Sequence, residues 1–238
     1  MDRFYHTSTI TSSARAQKGF ILESLKGVTT VTHQNTFKAY LKSLRDGLDN
    51  KYIVSWRVLN TADFGLRQNR PRPYIIGIKR GVLQGRQLPP FQWPPSVGCV
   101  PLASVLESCQ VRKQPRPGTV AEKSLQMLLQ RELTEEILKG STPIALDIFA
   151  PTARFMVGKV PCLTRTRAGC GGYWVTGVDG LLTAREMLRL QGLPECLTTI
   201  AETAAVSERQ LCQMIGNAMS VNVLVAILSR LLPALGLS

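Results

Sequence analysis

Apolar positions along the chain group first into short runs and then into helical stripes. Residues 19–23, Gly-Phe-Ile-Leu-Glu, form an apolar run that ends in a carboxylate. That is the pattern of a buried parallel strand delivering a side chain to the carboxyl edge of a sheet. Residues 36–46 repeat apolar side chains at Phe37, Tyr40, Leu41 and Leu44, an amphipathic helix that Gly47 can end. Two further runs, 53–59 and 74–78, are rich in β-branched and aromatic residues and read as strands. Strand, helix and strand make a βαβ unit, half of a doubly wound α/β sheet that the run 74–78 extends.

Beyond this the pattern changes. Residues 84–116 are rich in Pro and Gly and include Leu88-Pro-Pro-Phe-Gln-Trp-Pro-Pro95, which reads as a linker or an extended arm. Residues 119–139 predict a helix opened by a Thr119-x-x-Glu122 capping box and closed by Gly140, with Leu125, Leu128, Leu129 and Leu133 facing a core. Strand-like sequence returns over 144–176. Within it 151–168 carries Arg154, Lys159, Arg165 and Arg167 without an acid, and Gly169-Cys170-Gly171-Gly172-Tyr173-Trp174 follows. A short capped helix spans 183–194, with Thr183-x-x-Glu186 at its start and Gly192 and Pro194 at its stop. Ser207-x-x-Gln210 caps the last helical region. Residues 218–237 are apolar enough to invite a membrane reading, but Asn222, Arg230 and Pro233 interrupt them, so a buried C-terminal helix and no membrane are expected.

Composition narrows the function. A chain of 238 residues with 44% hydrophobic side chains can build a real core, in one large domain or two small ones. A net charge of +13, with six Lys/Arg and no acid over 64–106, favours a polyanionic partner, nucleic acid first. The six cysteines form no Cys-x-x-Cys pair and have no histidines nearby, which argues against zinc and for reduced thiols in an intracellular protein. Residues 1–18 are rich in Ser, Thr and Arg with Asp2 the only acid. They read as a flexible N-terminal segment, faintly like a transit peptide and equally suited to the tail of a loop.

The chemistry concentrates between the strands 53–59 and 74–78, where Asp63, Gly65, Gln68, Arg70 and Arg72 share ten positions and Pro71 and Pro73 stiffen the segment. Rigid arginines at strand ends suit planar anions or base edges. Here the residues resemble a known family. Val58-Leu-Asn-Thr-Ala-Asp-Phe-Gly65 followed by Gln68-Asn-Arg-Pro-Arg72 is similar to the Gln-x-Arg-x-Arg block of DNA cytosine-5 methyltransferases. Glu23 stands where that family has the glutamate of Glu-Asn-Val, although Ser24 and Leu25 depart from the pattern. Arg185-Glu186 with Arg189-Leu-Gln-Gly-Leu-Pro194 resembles a further block, largely structural in the family. Gln213-Met-Ile-Gly-Asn217-Ala218-Met219-Ser220-Val221 resembles the block that lines the cofactor pocket, with Met219 out of pattern.

The resemblance implies the C-terminal part of a doubly wound, Rossmann-like sheet, with three strands visible and four upstream, plus a small, mostly β target-recognition domain. It divides the chain into a flexible segment 1–18, a partial catalytic α/β domain 19–85, a recognition domain with its proline-rich arm 86–204, and a helical return to the catalytic domain over 205–238. It implies that Glu23 acts at N3 of a flipped cytosine, that Arg72 meets the base or its phosphate, and that Arg70 and Gln68 shape the loop. It implies S-adenosyl-L-methionine as cofactor, met by Asn217 and by Ala218 or Ser220. It implies double-stranded DNA as partner, with Leu163-Thr164 in a Thr-rich strand and with Arg165, Arg167, Gly171 and Gly172 beside it.

Two family features have no counterpart in this sequence: the Phe-x-Gly-x-Gly cofactor loop and a Pro-Cys nucleophile loop ahead of Glu23. Pro161-Cys162 follows the Gln-x-Arg-x-Arg block, so no nucleophile is assigned. The chain is expected to be inactive alone, as a truncated enzyme or one completed by a separate N-terminal half. The alternatives are a catalytically dead DNA-binding or regulatory relative and a non-enzymatic basic interaction protein. An intracellular location is expected, nuclear in a eukaryote and cytoplasmic in a bacterium or virus.

Overall fold

The computed structural model describes residues 17–82, 89–108, 111–132, 142–152 and 154–237. Most of the N-terminal segment, the start of the arm and the second half of the helix expected over 119–139 lie outside the described residues.

The first sheet holds β1 (Gly19–Glu23), β2 (Tyr52–Asn60) and β4 (Pro71–Lys79), with the two-residue β3 (Gln68–Asn69) just ahead of β4. β2 and β4 pair antiparallel in full register, from Tyr52 opposite Lys79 to Asn60 opposite Pro71. β1 pairs antiparallel with the other side of β4, which gives the order β1-β4-β2. The expectation of a buried parallel strand at 19–23 is corrected in two respects. β1 is only half-buried, and its parallel neighbour in the βαβ unit is held off because β4 runs between them in the opposite sense.

Strand alternation sends the residues of β4 to two faces. Tyr74, Ile76 and Ile78 join Leu59 and Phe64 in a cluster with Val223, Ile227, Leu231 and Ala234 of α7 (Val221–Ala234). Ile75 points the other way, onto Phe37 and Leu41 of α1 (Gln34–Gly47). The sheet is therefore covered by a helix on each face, as a doubly wound α/β fold requires. Gly77 is the exception in the strand, because the ring of Phe20 lies over it and a Cβ there would meet Phe20 Cε1 at 2.1 Å. A glycine in mid-strand forfeits packing of its own, and here the neighbouring strand supplies the missing bulk.

The second lobe is a small antiparallel sheet, β6-β5-β8-β9, built from β5 (Ile144–Asp147), β6 (Arg154–Val157), β8 (Trp174–Val175) and β9 (Gly180–Leu181). α2 (Val120–Met127) packs on it through Ala121 and Leu125, and its last turn widens over Leu128–Glu132. β7 (Val160–Pro161) pairs in parallel with β3, which ties the second lobe to the first. Three capped or short helices, α3 (Arg165–Gly169), α4 (Ala184–Gln191) and α5 (Leu197–Thr203), precede α6 (Glu208–Asn217). Leu163-Thr164 is not on a Thr-rich strand. The Thr164 hydroxyl accepts from the Arg167 amide at 3.3 Å, and that cap starts α3 instead.

The arm is not free. Trp93 Nε1 donates to Ser55 Oγ at 3.1 Å, Phe91 meets Trp93 edge to face, and the Val97 amide donates to Asp63 O at 2.8 Å. The final helical region breaks at Ala218 to Ser220, where the backbone turns extended. Residues Glu208–Ala234 have the length and apolarity to cross a membrane by composition. The break divides them into α6, packed with the second lobe, and α7, packed on the first sheet.

Candidate functional site

Antiparallel pairing of β1 with β4 places the end of one strand beside the start of the other. Glu23, last in β1, stands opposite Tyr74, two residues after Arg72. Glu23 Oε1 lies 3.7 Å from Arg72 Nε and 4.0 Å from Arg70 Nε, with Glu23 and Arg70 side chains only 12% and 4% exposed. Burial raises the Glu23 carboxyl above its usual range, and the two guanidiniums pull it only partly back. Tyr74 is also pushed up by burial and by the neighbouring Glu23 charge. Among the described residues Glu23 Oε1 and Arg70 Nε make no hydrogen bond, and their 4.0 Å approach to each other is an ion pair only. Each such buried polar atom costs about 1–3 kcal/mol until something pairs with it.

The remaining donors of Arg70 are committed. Nη1 reaches Leu163 O at 2.7 Å and Gly216 O at 3.3 Å, and Nη2 reaches Ala218 O at 2.9 Å. Arg70 thus joins the first sheet, the second lobe and the α6–α7 break in one clamp. Arg72 is less engaged: Nη1 reaches Pro71 O at 3.0 Å and Nη2 reaches Cys162 Sγ at 3.1 Å. Gln68 is fully buried, donating to Leu190 O at 2.9 Å and Gln191 Oε1 at 3.0 Å while accepting from the Leu163 amide at 3.0 Å.

Ser220 is equally buried. Its hydroxyl pairs with Thr61 Oγ1 at 2.6 Å and donates to Gln191 Oε1 at 3.0 Å. The Ala218 carbonyl accepts from Arg70 and from Gln191 Nε2. Asn217 closes α6 and is exposed. The fold therefore brings Gln68, Arg70, Ala218 and Ser220 into one connected network next to Glu23 and Arg72, with Asn217 at its rim.

The five residues expected to meet DNA divide. Arg165 and Thr164 are exposed, and Thr164 is engaged as a cap. Arg167 Nη2 lies 3.1 Å from Asp147 Oδ1, and its guanidinium lies 5.6 Å from the Phe149 ring centroid. Gly171 and Gly172 have φ of 97° and 73°, conformations that favour glycine, and they are covered by Leu181 and Met187. Their backbone makes the turn that carries Tyr173 inward, where its hydroxyl donates to Cys162 O at 2.8 Å.

Sequence reasoning passed over Thr61, Gln191, Tyr173 and Cys162 as site residues. Gln191 carried a signal, the Arg-Leu-Gln-Gly block read as scaffold, and Cys162 was set aside by chain order alone. Chemically, a rigid pair of guanidiniums beside a carboxyl able to hold a proton suits a planar heterocycle edge. Such an edge offers Glu23 a ring nitrogen and Arg72 a carbonyl.

The family model for C-5 cytosine-specific DNA methylase matches residues 4–148 and 150–232. The chain is 33% identical over 223 residues to the type II methyltransferase M.NgoBI of Neisseria gonorrhoeae, an alignment covering 91% of this chain and 62% of that protein. It is 31% identical over 229 residues to the type II methyltransferase M.HaeII of Haemophilus aegyptius, covering 94% of this chain and 64% of that protein. The chain thus spans less than two-thirds of the length of these relatives. Its fold matches the crystal structure of the S. pombe Dnmt2 methyltransferase with a TM-score of 0.54 at 16% identity, over 90% of this chain and 67% of that one.

Proposed function

Because the chain belongs to the C-5 cytosine-specific DNA methylases, we propose that it carries the base-handling and DNA-reading part of a cytosine-5 methyltransferase. The observation that carries this reading is the buried Glu23–Arg70–Arg72 cluster, in which Glu23 Oε1 and Arg70 Nε make no hydrogen bond among the described residues.

Cytosine C5 is a weak nucleophile, and a proton held at N3 draws charge from the ring as a thiolate adds at C6. Glu23 is the acid for N3, since burial already favours its protonated form. Arg72 donates to the base or its phosphate. Arg70 and Gln68 are positioning residues, fixing that strand against the recognition lobe and the α6–α7 break. The base must leave the duplex stack to reach them. Arg165, exposed on α3, serves the phosphate backbone, and Thr164, Arg167, Gly171 and Gly172 shape the surface around it.

S-adenosyl-L-methionine supplies the methyl group when bound. The residues present fit it only in part. Asn217 offers an exposed amide at the rim, while the Ser220 hydroxyl and Ala218 carbonyl are already taken within the network. The sequence holds neither a Phe-x-Gly-x-Gly loop nor a Pro-Cys ahead of Glu23. Methyl transfer therefore calls for an N-terminal half, carried in one longer chain with these residues or supplied separately, and double-stranded DNA is the substrate. The setting is intracellular, nuclear or cytoplasmic by source. The same missing loops support a second reading, a DNA-binding relative without activity.

The test is transfer of labelled methyl to duplex DNA by the chain alone and by the chain mixed with the N-terminal half of a relative such as M.NgoBI. Transfer only in the mixture, lost in Glu23→Gln, is the expected result. Transfer by the chain alone overturns the assignment of the nucleophile to another segment. Selective DNA binding without transfer in either case favours the second reading.

A further inference from the structure

Gln191, the last residue of α4, is fully buried, and every hydrogen-bonding position of its carboxamide is filled. Nε2 donates to Ile215 O at 2.9 Å and Ala218 O at 3.0 Å, while Oε1 accepts from Gln68 Nε2 and Ser220 Oγ, both at 3.0 Å. Two donors and two lone pairs are all that a carboxamide offers. Only one orientation fits, since exchanging N and O would set the oxygen against two carbonyls and the nitrogen against the Gln68 amino group.

The last carbonyls of a helix need partners from outside it. At the end of α6 and just past it, those of Ile215, Gly216 and Ala218 accept from two side chains, Arg70 from the first sheet and Gln191 from the second lobe. Ser220 stands at the N-cap of α7 without capping it, its hydroxyl turned instead to Gln191 and Thr61. Gly192 follows with φ of 71°, and a Cβ there would meet Asn222 Oδ1 at 2.4 Å, so the end of α4 abuts the first turn of α7. Arg70 belongs to the pocket itself through Glu23, whereas Gln191 hydrogen-bonds to neither Glu23 nor Arg72 among the described residues.

We propose that Gln191 is a positioning residue for methyl transfer: its carboxamide sets the α6–α7 break, and with it Asn217 at the rim, against the Glu23–Arg70–Arg72 pocket. Without that carboxamide Ile215 O and Ala218 O each lose an acceptor bond, and the Ser220 hydroxyl is released toward the first-turn amides of α7. Asn217 then loses its fixed place, so the methyl donor binds less tightly, while Arg165 on α3 still meets DNA. The proposal rests on the reading of Asn217 as a cofactor contact given above.

The test pairs the full chain with the N-terminal half of a relative such as M.NgoBI and measures binding of S-adenosyl-L-homocysteine by calorimetry, with duplex DNA binding followed separately. Gln191→Met keeps the volume and is expected to weaken this probe about tenfold, as loss of buried hydrogen bonds does, and to leave DNA binding of the folded protein unchanged. In methyl transfer the KM for the donor should rise more than kcat falls. The effect should shrink in an Asn217→Ala background, where Gln191 has nothing left to position. Ser220→Ala removes one of the four bonds and should act in the same sense by less, which decides the matter if Gln191→Met does not fold. Losses of probe and DNA binding that both track the unfolded fraction in urea melts overturn the proposal, as does full additivity with Asn217→Ala. A parent mixture that binds no probe overturns the cofactor reading instead. Faster amide exchange over 215–220 in Gln191→Met, with α3 unchanged, then still establishes the hold on the break, and unchanged exchange overturns that as well.

Discussion

Glu23 and Arg72 face each other from the end of one strand and the start of its neighbour, Oε1 to Nε at 3.7 Å, yet burial outweighs their attraction. The unfolded carboxyl titrates near 4.5 and the folded one higher. Between those values the folded chain binds more protons, so stability is complete below the unfolded value and declines as pH rises through the folded one. Glu23→Gln is neutral at every pH. It is expected to melt above the parent at neutral pH, by about 2–4 °C for each kcal/mol relieved. The two curves should converge in acid. Thermal scans from acid to neutral pH check this, and a variant less stable at pH above the window contradicts it.

Gly77→Ala places a methyl 2.1 Å from the Phe20 ring in the central strand. Overpacking of this kind costs about 1–3 kcal/mol. Gly81→Ala, with nothing within 4 Å of the added Cβ, is the control and should be close to neutral. Urea midpoints of the two variants separate the cases.

Ser220→Ala strips the shared hydroxyl from Thr61 and Gln191, both inside the network around Arg70. The loss is expected at about 1–3 kcal/mol, since both partners stay buried. Asn217→Ala, exposed at the rim, should leave stability unchanged and weaken only the response to the methyl donor. Chemical denaturation, repeated with and without S-adenosyl-L-methionine and with the N-terminal half of a relative such as M.NgoBI added, distinguishes them.

Two arginines two residues apart should behave differently. Arg165 is exposed on α3. Arg165→Gln is expected to lower the slope of log binding constant against log salt by about 1, the mark of one lost phosphate contact. Arg167 is held against Asp147, whose side chain is 14% exposed. Arg167→Gln should cost about 1–2 kcal/mol of folding stability first. DNA titrations at several salt concentrations, set beside urea melts, check both.

Elements with a clear period or cap were legible: β2, α1 and the box at Thr183 fall where the pattern puts them, and β4 does too, although it begins three residues early, at Pro71. Their arrangement was not. Hydrophobic runs carry no direction, so nothing in residues 19–23 reveals that β4 inserts between β1 and β2. The Gln-x-Arg-x-Arg block drew attention to side chains that the fold brings together, but it did not separate a clamp such as Arg70 from the freer Arg72, because that depends on carbonyls about 90 and 150 residues away. Cys162 lay beyond reach for the same reason. α3 was hidden by its size, five residues whose start rests on one threonine hydroxyl.

β4 is bonded on both sides, while β1 and β2 each pair, among the described residues, on one side only. Amide hydrogen exchange follows such differences, with central strands opening only when the whole domain does and edges opening in smaller, more frequent events. β1 ends opposite Tyr74, so Arg72 stands where β4 pairs with β2 alone, and Glu23 holds the last position of an edge strand. Both sides of this ion pair should therefore lie where the sheet opens most readily, whereas Tyr74 to Ile78 are held on both sides.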